Sequence, residues 1–336
     1  MEQMRDSTSL IGDPQALRQE IHAEGYALLR GLVDPGAAAA VGAEVRDVLA
    51  KHGYTRYEQG AETILRTPVK GHETSDYWRM YSDVLALESV NSLPHCSERL
   101  GGAVRGLLGE SAFTYPMKTV RLVFPQASGG AAIPLHRDNR GGPWVRDMFT
   151  TWVALAEIDR PMGGFAILRN SHTYRYQAVY EGGEPPPDAH GEPVPDLNSP
   201  EWVSTEWQPG DVVLFHCYTL HRGLYNRSSC VRISVDYRWQ ATDHPVYVGA
   251  LLPYHYLDKY PEIPDWGTLS AQWSDPRWNG FPADVEITYE KWPVSSGNRI
   301  PESRFVEVVA GAQEAWRSSV RDERPREVPY AVPVPH

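Results

Sequence analysis

The stretch Pro209-Gly-Asp-Val-Val-Leu-Phe-His-Cys-Tyr-Thr-Leu-His221-Arg-Gly-Leu-Tyr-Asn-Arg-Ser-Ser-Cys-Val231-Arg-Ile-Ser-Val-Asp-Tyr-Arg-Trp239 supplies a turn, a strand, two histidines and a second strand. In the second strand Val231, Ile233, Val235, Tyr237 and Trp239 alternate with Arg232, Ser234, Asp236 and Arg238, a clean period of two. An antiparallel strand with its polar face in water would give the same pattern. If the sheet closes on itself, the polar face lines an interior instead. An arginine with a serine two residues on then forms a carboxylate clamp, a guanidinium fork plus a hydroxyl, suited to the distal carboxylate of a small diacid.

Around this stretch, short apolar or alternating runs separated by turn residues predict further strands at Lys118 to Phe124, Phe149 to Ile158, Phe165 to Leu168 and Val212 to Phe215. Together they read as an antiparallel barrel or sandwich. The chain before them reads as mostly helical. Leu17 and Ile21 predict a short helix that turns into a strand after Gly25, and Asp34-Pro35 starts a helix ending at Gly53. Two more helices are expected between Ser82 and Leu108. A Pro- and Gly-rich stretch around Tyr180 to Pro200 reads as a lid insertion. The expected organisation is one catalytic domain over 1–336: a helical N-terminal support (1–112), a barrel core (113–240) with a lid insertion at about 173–205, and a C-terminal extension (241–336) that wraps the barrel. Trp266, Trp273, Trp278 and Trp292 in that extension either pack it down or form an aromatic substrate wall.

Composition removes several classes of function. Net charge is −11 and no basic run occurs, so a nucleic-acid groove or an anionic membrane surface is disfavoured. The three cysteines show no CxxC pairing, which fits a reducing compartment, and no apolar stretch is long enough to span a membrane. The expectation is a soluble cytoplasmic protein acting on a small molecule, with no nucleic-acid or membrane partner; its oligomeric state is left open.

On an extended segment, His-x-Asp or His-x-Glu points both side chains to one face and so offers two of three facial ligands to a metal. Three such pairs occur: His22-Ala-Glu24, His136-Arg-Asp138 and His190-Gly-Glu192. The first falls in a predicted helix, where residues two apart diverge, and the third in the Pro-rich insertion. Only His136 and Asp138 border the strand-rich core.

These elements, in this order, resemble the phytanoyl-CoA dioxygenase family of Fe(II)/2-oxoglutarate-dependent oxygenases. The elements are His136-Arg-Asp138, then Trp152-Val-Ala-Leu-Ala-Glu-Ile-Asp sixteen residues on, and Gly163-Gly-Phe-Ala-Ile-Leu-Arg-Asn-Ser-His172. The Pro209-Gly-Asp turn follows, and then His221 with Arg232 eleven residues later. The resemblance runs from about Tyr26 to Trp239 and implies a double-stranded β-helix, a jelly-roll or cupin-like barrel with flanking helices. It implies that His136, Asp138 and His221 bind Fe(II), that Arg232 holds the C5 carboxylate of 2-oxoglutarate, and that Trp152 lies beside this cosubstrate. Ser234 is added from the strand alternation. O2 is the other cosubstrate, and the implied chemistry couples decarboxylation to succinate and CO2 with oxidation of an unactivated C–H bond. A carboxylate at Asp138, where related halogenases carry a small residue, favours hydroxylation over halogenation. A tailoring role in secondary metabolism follows by analogy with bacterial relatives.

His216 and Arg227 are also eleven residues apart, but Arg227 sits in the polar Asn226-Arg-Ser-Ser turn and His216 follows an apolar run, so the roles go to His221 and Arg232. A family serine two residues after the second iron-binding histidine is Gly223 here, and Arg169-Asn170 replaces the usual Pro-Gly before Ser-His. An early cosubstrate-binding lysine has Arg66, Lys70 and Lys118 as candidates. Arg137, Asn139, Arg140 and Trp144, flanking the iron pair, are the expected substrate contacts, although a solvated Gly-rich loop would look the same. Oxidative cyclisation, desaturation or epimerisation shares the same cofactors. A ligand-binding barrel without catalysis and a zinc hydrolase are the readings from other classes.

Overall fold

The computed structural model describes residues 1–58, 61–69, 73–125, 133–138, 148–172, 196–254, 261–282 and 284–288. In chain order the described elements begin with β1 (Glu2–Gln3), α1 (Pro14–Glu24), β2 (Tyr26–Leu29), α2 (Pro35–Lys51), β3 (Thr55–Glu58) and β4 (Ala61–Ile64). Then come α3 (Ser75–Leu85), α4 (Glu88–Cys96), α5 (Glu98–Leu108), β5 (Phe113–Thr114), β6 (Thr119–Val123), β7 (Ile133–His136), β8 (Phe149–Ala154) and β9 (Phe165–Leu168). The series closes with β10 (Trp202–Ser204), β11 (Val212–His216), β12 (His221–Gly223), β13 (Arg232–Gln240), β14 (Val246–Tyr247), α6 (Trp266–Leu269) and β15 (Ile287–Thr288). Among the described residues no helix is long and apolar enough to cross a membrane.

Two sheets face each other. One runs β1-β10-β9-β12-β7; the other runs β2-β11-β8-β13-β5, with β6 also on β13. They remain two sheets rather than closing into one barrel, and the alternation along β13 explains how they are filled. Every residue of β13 is buried, so neither face meets water. Val231, Ile233, Val235, Tyr237 and Trp239 pack outward into one core with Val41 and Val45 of α2, Val84 of α3 and Val90 of α4. The polar row faces the other sheet, in register with Thr150, Trp152 and Ala154 of β8. A second apolar cluster, including Trp152, Phe165, Ile167, Trp207, Val213 and Phe215, fills the intersheet space beside that row. A sheet face covered by helices must be apolar, so the helices leave the charged row only the interior.

The N-terminal support follows its capping signals. Asp13 and Asp34 cap α1 and α2, accepting from the Ala16 and Ala37 amides at 3.0 and 2.8 Å, each with proline at the first helical position. Between Ser82 and Leu108 there are three helices where the apolar spacing predicts two. The chain breaks at Ala86-Leu87 because Asn91 donates its side-chain amide to the Leu85 and Leu87 carbonyls, which ends α3 and opens α4.

Residues 173–195 of the lid insertion expected at about 173–205 lie outside the described residues, and its last part includes β10. Trp202 and Val203 pair with Leu168 and Ile167 as an inner strand of the first sheet. A three-residue strand behind a Pro-rich run carries too little periodicity to be read from sequence. In the described part of the C-terminal extension, Trp273 and Trp278 donate from Nε1 to Ala86 O and Glu88 Oε1 and so tie the extension to the helices, while Trp266 donates to Leu251 O within it. Trp292 lies outside the described residues.

Candidate metal and cosubstrate site

β7 and β12 are antiparallel neighbours, and His136 stands directly opposite His221. Residues opposed across such a ladder share a face, so both imidazoles enter the intersheet space, their ring centroids 4.1 Å apart. Asp138 lies two residues beyond His136, held by its amide bond to the Cys217 carbonyl at 2.9 Å. Its Oδ1 is 3.6 Å from His136 Nε2 and 3.9 Å from His221 Nε2. The three donor atoms lie within 4.8 Å of one another. A cation with bonds of about 2.1 Å spans donors roughly 3–3.5 Å apart, so small inward movements complete a facial set. Among the described residues this is the one His/Cys/Asp/Glu group with metal-binding geometry.

The surroundings aim these donors. His136 Nδ1 is 2.8 Å from the Pro134 carbonyl and His221 Nδ1 is 3.0 Å from the Thr219 carbonyl. A carbonyl only accepts, so each Nδ1 carries the proton and each Nε2 offers its lone pair to the site. Burial holds both histidines below the ordinary range, and for His136 the neighbouring His221 adds to the effect. Burial alone would raise Asp138; Arg238, with the Thr150 hydroxyl, outweighs it and holds the carboxyl well below its ordinary value. Arg238 Nη2 donates to Asp138 Oδ1 at 3.1 Å, and Thr150 Oγ1 donates to Oδ2 at 2.8 Å. The set is thus two neutral imidazoles and one carboxylate, the donor chemistry of a non-haem Fe(II) site.

Beside the triad, Arg232 is 1% exposed and Ser234 is 0% exposed. Arg232 Nη1 donates to the Gly164 carbonyl, with a longer contact to Leu224 O at 3.4 Å. Its Nε and the Ser234 hydroxyl have no hydrogen-bond partner among the described residues. Burial lowers the Arg232 pKa to about 9, with repulsion from Arg121 acting the same way. A buried guanidinium Nε and a hydroxyl with no partner among the described residues, side by side, fit the distal carboxylate of a small keto-diacid. Trp152 lies on the same inner face, stacked on Phe165 with centroids 5.6 Å apart. Gly164 sits against the Trp207 ring and Gly163 against the backbone at Tyr225: a Cβ on Gly163 (φ 87°) would come within 1.8 Å of the Tyr225 carbonyl.

Other expected residues stand elsewhere. Arg137 points away from the triad because neighbours on an extended segment alternate. It is buried, with Nε on the Tyr218 carbonyl at 2.7 Å and Nη2 on Ser171 O at 3.3 Å, and braces the ligand-bearing segments instead of facing substrate. Asn139, Arg140 and Trp144 lie outside the described residues, as does Lys70. Arg66 is exposed and lies over the Tyr54 ring at 4.0 Å. Lys118 is buried on the outer face, bonded to Thr114 and Tyr115 and 5.7 Å from the Tyr237 ring centroid. The basic side chain that β6 turns inward is Arg121, opposite Ser234 and paired with Asp236 at 2.6 Å. The candidates considered from sequence did not include it; the signal was its two-residue offset from Thr119 on a predicted strand. His216 is buried, edge-on to Phe149, with Nδ1 accepting from the Tyr218 amide at 3.3 Å, and Arg227 is exposed. Asn170 takes φ 59°, the left-handed conformation that asparagine tolerates better than other non-glycine residues. At Gly223 a Cβ would meet the Ile133 side chain at 3.1 Å, so Ile133 takes the space a serine there would need.

The family model for phytanoyl-CoA dioxygenase matches residues 21–234, a span that includes β2 to β12 and the start of β13. Two curated relatives are 1-deoxypentalenic acid 11-beta-hydroxylases. That of Streptomyces exfoliatus is 26% identical over 260 residues, covering 74% of this chain and 89% of the relative. That of Streptomyces arenae is 25% identical over 267 residues, again 74% and 89%. Among solved structures, the non-heme alpha ketoglutarate dependent carbocyclase SnoK from nogalamycin biosynthesis is similar at 19% identity. It covers 72% of this chain and 90% of that one, with a TM-score of 0.47.

Proposed function

Because this chain belongs to the phytanoyl-CoA dioxygenase family and is a 2-oxoglutarate-dependent non-haem iron dioxygenase, we propose that it hydroxylates an unactivated C–H bond of a small or medium-sized metabolite, as a tailoring step in secondary metabolism. The observation that carries the reading is the convergence of His136, Asp138 and His221 beside a buried Arg232 and Ser234, whose Nε and hydroxyl have no partner among the described residues. The curated relatives, hydroxylases by name, support hydroxylation over the other oxidative outcomes.

Fe(II) chelated by 2-oxoglutarate supplies the oxidising power when bound, consuming O2 and releasing CO2 and succinate. The protein's residues prepare and contain that chemistry. His136 and His221 present unprotonated Nε2 atoms, and Arg238 and Thr150 keep Asp138 ionised and aimed. His136, Asp138 and His221 would hold the Fe(II) through these three donor atoms. Arg232 and Ser234 anchor the distal carboxylate, which fixes the keto-acid end toward the triad. Phe165, Phe215 and Trp152 wall the inner side and exclude water; the Phe215 and Phe165 rings lie 4.7 and 5.1 Å from that of His221. His136, at 16% exposure the most open of the three ligands, marks the side from which substrate approaches.

The test is formation of succinate under air with Fe(II), ascorbate and 2-oxoglutarate, against a panel that includes 1-deoxypentalenic acid, for which the curated relatives are named. Succinate formed in step with a hydroxylated product, and lost in Asp138→Ala, is the expected outcome. Product formation without oxygen, or with Zn(II) in place of Fe(II), would contradict it.

A further inference from the structure

Trp207 is wholly buried, yet its indole Nε1 has no hydrogen-bond partner among the described residues. Other tryptophans in this protein are satisfied: Trp239, Trp266, Trp273 and Trp278 each donate from Nε1 to an oxygen. A buried donor left open is costly and calls for an explanation. Reciprocal backbone bonds to Ile158, at 2.9 and 3.0 Å, carry Trp207 into the intersheet space, where its ring lies 4.6 Å from that of Trp152. There Nε1 sits against Gly164, close enough that a Cβ on that residue would come to 2.8 Å from it. The carbonyl of the same Gly164 accepts from Arg232. The open indole N–H and the guanidinium with its open Nε therefore meet at one residue, with the open Ser234 hydroxyl on the same strand face as Arg232.

We propose that Trp207 is a cosubstrate-binding residue, its indole N–H donating to the distal carboxylate of 2-oxoglutarate together with Arg232 and Ser234. This rests on the cosubstrate site proposed above. A carboxylate offers about four lone-pair positions, enough for a guanidinium, a hydroxyl and an indole. Gly164 permits the arrangement, because any side chain there would displace the indole nitrogen. In the sequence Trp207 stands two positions before the Pro209-Gly-Asp turn.

The experiment compares two keto acids on the Ni(II)-loaded full chain by calorimetry: 2-oxoglutarate, and 2-oxopentanoate, which lacks the distal carboxylate. Trp207→Phe is expected to weaken 2-oxoglutarate about tenfold or more, the value of one hydrogen bond to a charged group, while leaving 2-oxopentanoate unchanged. Equal weakening of both acids indicates a packing role and overturns the proposal, as does unchanged affinity for the diacid. If Trp207→Phe does not fold, the indole region of a 15N spectrum of the Zn(II)-loaded native chain decides. One indole N–H should move downfield with 2-oxoglutarate and stay in place with 2-oxopentanoate; no such resonance overturns the assignment. Failure of the native chain to bind either acid would overturn the cosubstrate site itself, a result distinct from both.

Discussion

Replacing Arg232 by methionine is expected to stabilise the metal- and cosubstrate-free protein while destroying its affinity for 2-oxoglutarate. Burial lowers the arginine from an ordinary pKa of 12.5 to about 9, with Arg121 opposing the charge as well. At about 1.4 kcal/mol per tenfold change in proton affinity, this is roughly 5 kcal/mol held against the fold. The sign follows because a base whose folded pKa lies below its unfolded value destabilises fully below the lower of the two and recovers as pH rises through about 9. Methionine fills most of the volume but leaves the Gly164 carbonyl without its donor, a cost of about 1–3 kcal/mol. The net expectation is a gain of about 2–4 kcal/mol at pH 7.5, read as a higher guanidinium midpoint with unchanged slope. Loss of a forked, charge-assisted contact should meanwhile weaken 2-oxoglutarate at least about 100-fold. A variant that is less stable than the parent and binds 2-oxoglutarate as well would refute the reasoning.

Thr150→Val removes the hydroxyl that donates to Asp138 Oδ2, and metal affinity measured by competition with a chelator should fall about tenfold or more without loss of fold. Gly163→Ala places a Cβ within 1.8 Å of the Tyr225 carbonyl at φ 87°, so thermal unfolding should show a loss exceeding about 4 kcal/mol; an unchanged midpoint would contradict the packing described. Because burial holds His136 and His221 below the ordinary histidine value of 6.5, the unfolded chain takes up their protons first. The metal-free protein should therefore lose stability as pH falls beneath about 6.5, and His136→Ala should flatten that slope in pH-dependent denaturation curves. Asp138 enters only at lower pH, since its folded value lies under its ordinary 3.8.

What could be read in the sequence was whatever repeats with period two or stands at fixed offsets from it. The β13 alternation separated an apolar face from a charged one, and His136 with Asp138 stood out as a spaced pair beside strands. The direction of the charged face was not legible, since solvent and a second sheet produce the same alternation; only helices packed on the apolar side decide it. β10 and β12, three residues each, are too short to carry a period, so the strand that bears His221 showed only as a histidine in a turn-rich run. Arg121 was not legible as the inward basic residue of β6, because one residue of register separates an inward side chain from an outward one such as Lys118. Trp207 could not be singled out, because an unsatisfied indole N–H exists only once the sheets have met.

The most direct measurement is the visible absorption of the full chain after anaerobic addition of one equivalent of Fe(II) and excess 2-oxoglutarate. A weak charge-transfer band is expected in the intact protein. It should be absent in His136→Ala and in His221→Ala, and Arg232→Met should need far more cosubstrate to develop it. No band in the intact protein under these conditions would contradict the account.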